Sequence, residues 1–317
     1  MAENDAKESA EKKGKAVLVA VDQKSHSKFA YEYYCQNIHK PGDDLTIYYC
    51  HKPLDEPADP YTRGSFDFKQ KKKHHEEERD QMIKIYTGEC KKRGISAHIK
   101  VDEKHKKAGE GILDCAIMNS ADMIVLGCHK ELSSIRRHLL GGVSDHVMHQ
   151  AKVPILIVHE GGCDASKDNP HKRVMLAVDG KLHSKNAFKY YCDNIRKDDD
   201  EVYLYFCHKH LEEPADPYAK ASEEFKVKKR QHEDERNAVI DSYKAECKDR
   251  QISAHIKVDE KHRKTGEGIC EHATTNNADM LVMGSRGLSS IRRYLLGGTS
   301  DHVLHHVKTP LLIIPEP

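Results

Sequence analysis

Between Leu281 and Ser300 the sequence reads Leu-Val-Met-Gly-Ser-Arg-Gly-Leu-Ser-Ser-Ile-Arg-Arg-Tyr-Leu-Leu-Gly-Gly-Thr-Ser, and these residue types in this order suit the binding of an anion. The apolar run Leu281, Val282 and Met283 reads as a buried strand that empties into Gly284, where a sharp turn is permitted. Gly287 follows, then nine residues that include Arg292 and Arg293, then Gly297 and Gly298. Thr299 and Ser300 are good N-cap residues for the helical periodicity of Val303, Leu304 and Val307. A strand, a glycine loop and a helix N-terminus direct free backbone N–H groups and the positive end of a helix dipole at one spot, which suits a phosphate. The two arginines are read as solvated or paired with carboxylates, with contact to the phosphates as the alternative.

The chain contains this arrangement twice, because it is a duplication. Val17-Leu-Val-Ala-Val-Asp22 recurs as Val174-Met-Leu-Ala-Val-Asp179, and Glu56-Pro-Ala-Asp-Pro-Tyr61 recurs as Glu213-Pro-Ala-Asp-Pro-Tyr218. The eleven residues from Ile95 to His105 return unchanged from Ile252 to His262. The copies share one register through Gly127 and Gly284, after which the first has one extra residue, so that Gly141 answers Gly297. The expected organisation is a disordered lead over 1–14, a first domain over 15–158, a linker over 159–172 and a second domain over 173–317.

Within the first unit the pattern predicts strands over 17–21, 44–50, 96–101, 123–126 and 154–158. Helices are predicted over 27–38, 69–93, 111–119 and 144–150. Such alternation implies an α/β fold in which each unit is a doubly wound, five-stranded parallel sheet of Rossmann-like type. Ligands on such sheets sit beyond the carboxyl ends of the strands, where the strand order reverses. Asp22 or Asp179 at the end of the first strand, and the glycine loop at the end of the fourth, flank that crevice.

These residues resemble the universal stress protein family. The resemblance rests on Gly284-x-x-Gly287, nine residues and then Gly297 with a small residue and Thr299-Ser300. It extends to Ala177-Val178-Asp179, to Ala-Asp-Met-Leu-Val-Met-Gly and to the closing Lys308-Thr-Pro-Leu-Leu-Ile-Ile314, and it covers both units. It implies the adenine nucleotide alpha hydrolase-like form of the fold and, in the family's ATP-binding branch, a bound ATP with or without Mg2+. By resemblance Ala177, Val178 and Asp179 take the base, and Met283, Gly284, Arg286, Gly287, Gly297, Gly298, Thr299 and Ser300 take ribose and phosphates. Gly298 departs from the family, which usually has Ser or Thr there; a hydroxyl contact is lost while the N–H remains.

The first unit keeps Val21, Asp22, Gly127, Gly141, Gly142, Val143 and Ser144, but its loop reads Gly127-Cys-His-Lys-Glu-Leu132. Lys130 and Glu131 occupy the turn, and Glu131 brings negative charge toward the phosphates. Either the loop re-forms around Lys130 or the site is degenerate; weaker or altered binding is the expectation.

Composition narrows the function classes. The 52 Lys and Arg nearly cancel 51 Asp and Glu, so no overall field favours nucleic acid or an anionic membrane. No apolar run approaches a membrane span, and the polar lead is not a secretory signal. The ten cysteines show no close CxxC pair, and Cys35, Cys50 and Cys90 read as buried thiols of a cytoplasmic protein. His74-His75-Glu76 and His232 are read as solvated helix residues rather than metal ligands, and Val-Asp-Glu-Lys-His as strand end plus loop. No P-loop, nucleophile elbow or placed base occurs, so no catalytic residue and no metal site is assigned. The expectation is a tandem nucleotide-dependent stress regulator, with a nucleotide-free scaffold or a slow ATPase as alternatives. The closing strands are expected to pair edge to edge in an intramolecular pseudo-dimer, with a homodimer of whole chains left open.

Overall fold

In the computed structural model, residues 14–128, 142–161, 171–285 and 298–316 are described. The first repeat runs β1 (Ala16–Val21), α1 (Ser25–Tyr33), a π-helical turn (Tyr34–Ile38), β2 (Asp44–Cys50), α2 (Pro60–Gly64), α3 (Phe66–Arg93), β3 (Ala97–Asp102), α4 (Ala108–Met118), β4 (Met123–Cys128), α5 (Gly142–Gln150) and β5 (Ile155–His159). The second repeats it as β6 (Arg173–Val178), α6 (Leu182–Tyr190), a π-helical turn (Tyr191–Ile195), β7 (Glu201–Cys207), α7 (Pro217–Ala221), α8 (Glu223–Asp249), β8 (Ala254–Asp259), α9 (Thr265–Thr275), β9 (Met280–Ser285), α10 (Gly298–His306) and β10 (Leu311–Pro315).

Among the described residues all the strands lie in one ten-stranded sheet of order β3-β2-β1-β4-β5-β10-β9-β6-β7-β8. Pairing is parallel within each repeat, and β10 lies antiparallel to β5, with Leu312 opposite Leu156. Every residue of β5 is buried, so an unpaired β5 edge would strand its N–H and C=O groups. β1 is apolar throughout because both of its faces are covered. Val17, Val19 and Val21 pack beneath α1 and α3, while Leu18 and Ala20 join the core under α4 and α5.

The charged helix α3 begins three residues earlier than its periodicity predicts, because Ser65 Oγ accepts the Phe68 N–H at 3.2 Å. It ends on Gly94 in the left-handed region behind Lys91, Lys92 and Arg93, which suit the helix C-terminus. The Pro-Ala-Asp-Pro turn before it holds the short α2, capped by Asp59 with Pro60 in its first turn.

The halves grip one another at the π-helical turns, whose last carbonyls have no partner further along the helix. Lys15 and Lys40 donate to the carbonyls of Asn194 and Arg196 at 3.2 and 3.0 Å. In return Lys172 and Lys197 donate to those of Asn37 and Gln36 at 3.2 and 3.1 Å. Tyr33 reaches the Asp279 carbonyl at 2.9 Å and Tyr190 that of Asp122 at 3.3 Å. Each cation thus sits at the negative end of the other half's helix. Among the described residues no helix is long and apolar enough to cross a membrane.

Candidate functional site

The strand order places β1 beside β4, and β6 beside β9, on opposite sides of the point where the crossovers change direction. At that point Ala177 lies directly opposite Met283 on the neighbouring strand. Asp179 leaves the end of β6, its Oδ1 accepting the Lys181 N–H at 3.0 Å. Its Oδ2 faces His183 Nε2 at 3.3 Å and Lys181 Nζ at 3.6 Å. The carboxylate therefore closes a turn and is still one-third exposed, at 33%. Ser184 Oγ fixes this turn by accepting the Asp179 N–H at 3.3 Å and meeting Tyr243 Oη at 3.0 Å. Asp22 repeats the arrangement with Lys24 N–H at 2.9 Å and Ser27 Oγ at 3.1 Å.

The expected site residues divide by what their side chains touch. Val21, Val178 and Met283 are buried in the core, so only their backbone faces the strand ends. Ala177 is half-buried, Val143 is exposed, and Ser144 and Ser300 are buried in the first turns of α5 and α10. Thr299 and Ser300 lie inside α10 instead of capping it, because the helix already includes Gly298. Open space surrounds the position of a Cβ on Gly298 and on Gly142. Gly141, Arg286, Gly287 and Gly297 lie outside the described residues, as do Lys130, Glu131, Arg292 and Arg293.

Gly284 is not the turn that its place in the sequence predicts. It belongs to β9, paired with Ile314, and Gly127 belongs to β4, paired with Val158. A Cβ on Gly284 would stand 2.1 Å from the carbonyl oxygen of His183, and one on Gly127 would stand 2.2 Å from that of His26. The first turn of α6 or α1 crosses the strand here, and only glycine lets the backbones approach so closely.

The sequence model of the universal stress protein family matches residues 14–159 and again 170–315. The chain belongs to the universal stress protein family. It is similar to a universal stress protein of Mycolicibacterium smegmatis, 23% identical over 303 residues that make up 94% of this chain and 96% of that one. In fold it is similar to a universal stress protein from Archaeoglobus fulgidus, with TM-score 0.64, 19% identity and coverage of 95% and 98% of the two chains. An Arabidopsis thaliana family protein, whose structure has AMP bound, aligns with 46% of this chain and 92% of its own at 17% identity and TM-score 0.34.

Both universal stress protein domains of this chain hold a polar relay beside the strand ends. Tyr48 donates to Asp102 Oδ2, and His105 sets Nδ1 2.6 Å from that oxygen and Nε2 3.0 Å from Asp114. In the second domain Tyr205 donates to Asp259 Oδ2, and His262 lies 2.5 Å from Asp259 and 3.0 Å from Glu271. The signal for it was the repeated Asp-x-x-His spacing, but the tyrosine and the second carboxylate come from other elements.

Burial opposes the charge of Asp102, yet hydrogen bonds from Tyr48, from backbone N–H groups and from His105 outweigh it and hold the carboxyl down at about 2. Bonds to Asp102 and Asp114 raise His105 above the ordinary 6.5, and those to Glu271 and Asp259 do the same for His262. The relay therefore stabilises the fold below about pH 6.5 and loses that contribution as pH rises through the raised histidine values. On the acid side the carboxylate contribution is lost as pH falls through about 2. Thermal melts should show the Tm gap between wild type and His262→Gln widest near pH 5–6 and narrowing above neutrality. A pH-independent gap would refute the charged relay.

The helix histidines also differ from the expectation of solvation. His75 Nδ1 lies 3.0 Å from His51 Nε2, and His75 Nε2 donates to the Lys52 carbonyl at 2.8 Å. His232 donates to the Lys209 carbonyl at 2.6 Å, with its ring 4.0 Å from that of buried His208. His51 and His208 draw them inward, and the shared spacing of 51 to 75 and 208 to 232 was the missed sign. His74 stays exposed beside Glu78.

Proposed function

We propose that this tandem universal stress protein binds an adenine nucleotide, ATP with or without Mg2+, mainly in its second domain, and works as a nucleotide-dependent stress regulator in the cytoplasm. The two domains act as an intramolecular pseudo-dimer, so that occupancy in one half is felt across the lysine-capped π-helical turns. The observation that supports this reading is the meeting of the β6 and β9 ends, the one-third-exposed Asp179 and the start of α10 at the reversal of strand order. A helix start without side chains in the way, as at Gly298, offers N–H groups and a positive dipole end to phosphate. Asp179 would meet the base or ribose through the carboxylate left outside its turn. The second domain is favoured because its loop keeps Gly284, Gly287, Gly297 and Gly298, where the first places Lys130 and Glu131.

Calorimetric titration of the full chain with ATP and with ADP tests the reading. One site per chain is expected, weakened roughly tenfold or more by Asp179→Ala, which removes a charged hydrogen-bonding partner. Asp22→Ala should leave that main site unchanged. Absence of heat and of copurifying nucleotide, even at millimolar ligand, would leave the nucleotide-free scaffold as the function.

A further inference from the structure

Tyr61 and Tyr218 stand 91% and 88% exposed, whereas every other described tyrosine is buried or half-buried. Enclosed tyrosines give their hydroxyls to the fold, as Tyr34 does to Asp43 and Tyr191 to Asp200. The hydroxyls of Tyr61 and Tyr218 meet no other group among the described residues. Each ring follows a segment, 51–59 or 208–216, that is neither helix nor strand. Each lies in a five-residue helix, α2 or α7, that contains no buried residue and so lifts from the surface at little cost. Carboxylates lead into both rings: Asp55, Glu56 and Asp59 before Tyr61, and Glu212, Glu213 and Asp216 before Tyr218. Asp59 and Asp216 cap their helices. Asp55 meets Lys106 at 3.1 Å, Glu56 meets Arg63 at 3.8 Å and Glu213 meets Lys220, all at the exposed surface, where such pairs hold weakly. Around the shared Glu-Pro-Ala-Asp-Pro-Tyr the halves differ, with Thr62, Arg63 and Phe66 answering Ala219, Lys220 and Glu223. A ring left in water gains no burial energy, so folding does not account for its presence in both halves.

We propose that Tyr61 and Tyr218 are phosphoryl acceptors for a protein tyrosine kinase whose substrate groove is basic. The phenolic Oη attacks the γ-phosphorus of an ATP held by the kinase. The new O–P bond forms as the bond from that phosphorus to the β,γ-bridging oxygen breaks. ADP leaves with that electron pair, and the phenol proton passes to the kinase's base. The acidic segment ahead of each tyrosine lies along the groove, its carboxylates exchanging weak surface pairs for the kinase's cations. Nucleic acid and anionic membranes suit a tip that leads with carboxylates poorly, and an unengaged hydroxyl is what a group-transfer enzyme requires. Once attached, a phosphate of roughly −1.5 to −2 charge repels the capping Asp59 or Asp216 and loosens α2 or α7. The ATP belongs to the kinase, so the inference stands apart from the proposed nucleotide site.

The test incubates the full chain with ATP, Mg2+ and a purified tyrosine kinase shown to be active on an acidic tyrosine peptide. Peptide mass spectrometry then locates the phosphate. Folded wild type should carry it on Tyr61 and Tyr218. Tyr61→Phe with Tyr218→Phe should lower incorporation at least about tenfold, and the circular dichroism melt should not move because neither ring is buried. Asp55→Asn with Glu56→Gln should slow labelling of Tyr61 about tenfold while Tyr218 in the same chain serves as the internal standard. A folded chain that takes up no phosphate overturns the proposal. So does phosphate on the enclosed tyrosines instead, or a Tyr61 rate that the Asn and Gln changes leave as it was.

Discussion

Gly284→Ala should destabilise the protein by about 3 kcal/mol, at the upper end of what overpacking in a well-packed interior costs. The new methyl would stand 2.1 Å from the His183 carbonyl oxygen and 2.5 Å from its carbon, and these are backbone atoms with no rotamer to change. α6 cannot back away cheaply, because Ser184 in its first turn is buried and tied to Lys181, Asp179 and Tyr243. Gly127→Ala should cost about as much, since its Cβ meets the His26 carbonyl at 2.2 Å in the same way. Gly298→Ala supplies the contrast: nothing lies within 4 Å of its Cβ, and alanine favours a helix, so stability should hold or rise slightly. Urea denaturation read by circular dichroism separates the cases. Equal midpoints for Gly284→Ala and Gly298→Ala would show that the strand and helix are not in the close contact described.

Asp200→Ala should cost about 3–5 kcal/mol, the usual penalty for leaving a buried charge alone. The carboxylate is wholly buried, with Oδ1 3.3 Å from Lys172 Nζ and Oδ2 accepting from Tyr191 Oη at 2.7 Å and the Lys197 N–H at 3.1 Å. Burial pulls the Lys172 ammonium below the ordinary lysine value, and Asp200 is the first group that holds it up. Without Asp200 that ammonium keeps the Asn37 carbonyl across the junction of the halves and the weaker attraction of Asp199. Asp43→Ala should act alike on Lys15, which Asp43 contacts at 3.1 Å. Lys172→Met with Asp200→Leu should recover most of the loss, because a buried ion pair replaced by apolar residues is often neutral. Guanidinium titrations of the two single variants and the double variant give the coupling energy. A cost below about 1 kcal/mol for Asp200→Ala would mean that water reaches the pair.

The duplicated strand–helix alternation was open to reading because apolar runs such as Val17 to Val21 and Leu281 to Met283 are buried on both faces and need no partner to be identified. β2 spans the residues its pattern predicts. What the pattern could not reveal depends on long-range contact. Tyr-Cys-Gln-Asn-Ile at 34–38 has an unremarkable helical composition, and its widened turn presents carbonyls to lysines from the other half of the chain. Gly284 was recognisable as a special position, but its reason, the carbonyl of His183, lies a hundred residues away. The Asp102–His105 spacing was visible, whereas Tyr48 and Asp114 join it only after β2 and α4 pack. Of the candidate site, the strand-end residues can be placed, and the middle of each glycine loop lies outside the described residues.

The antiparallel meeting of β5 and β10 sets a schedule on biosynthesis. Among the described residues β10 follows the other nine strands in chain order, yet it occupies one of the two central places in the sheet. Until it arrives, the nascent first half holds out the wholly apolar-cored edge of β5, and β9 lacks its neighbour as well. Such an edge is the surface that recruits strands from other nascent chains. The interval between the synthesis of β5 and of β10 is therefore the time during which this chain is open to mispairing.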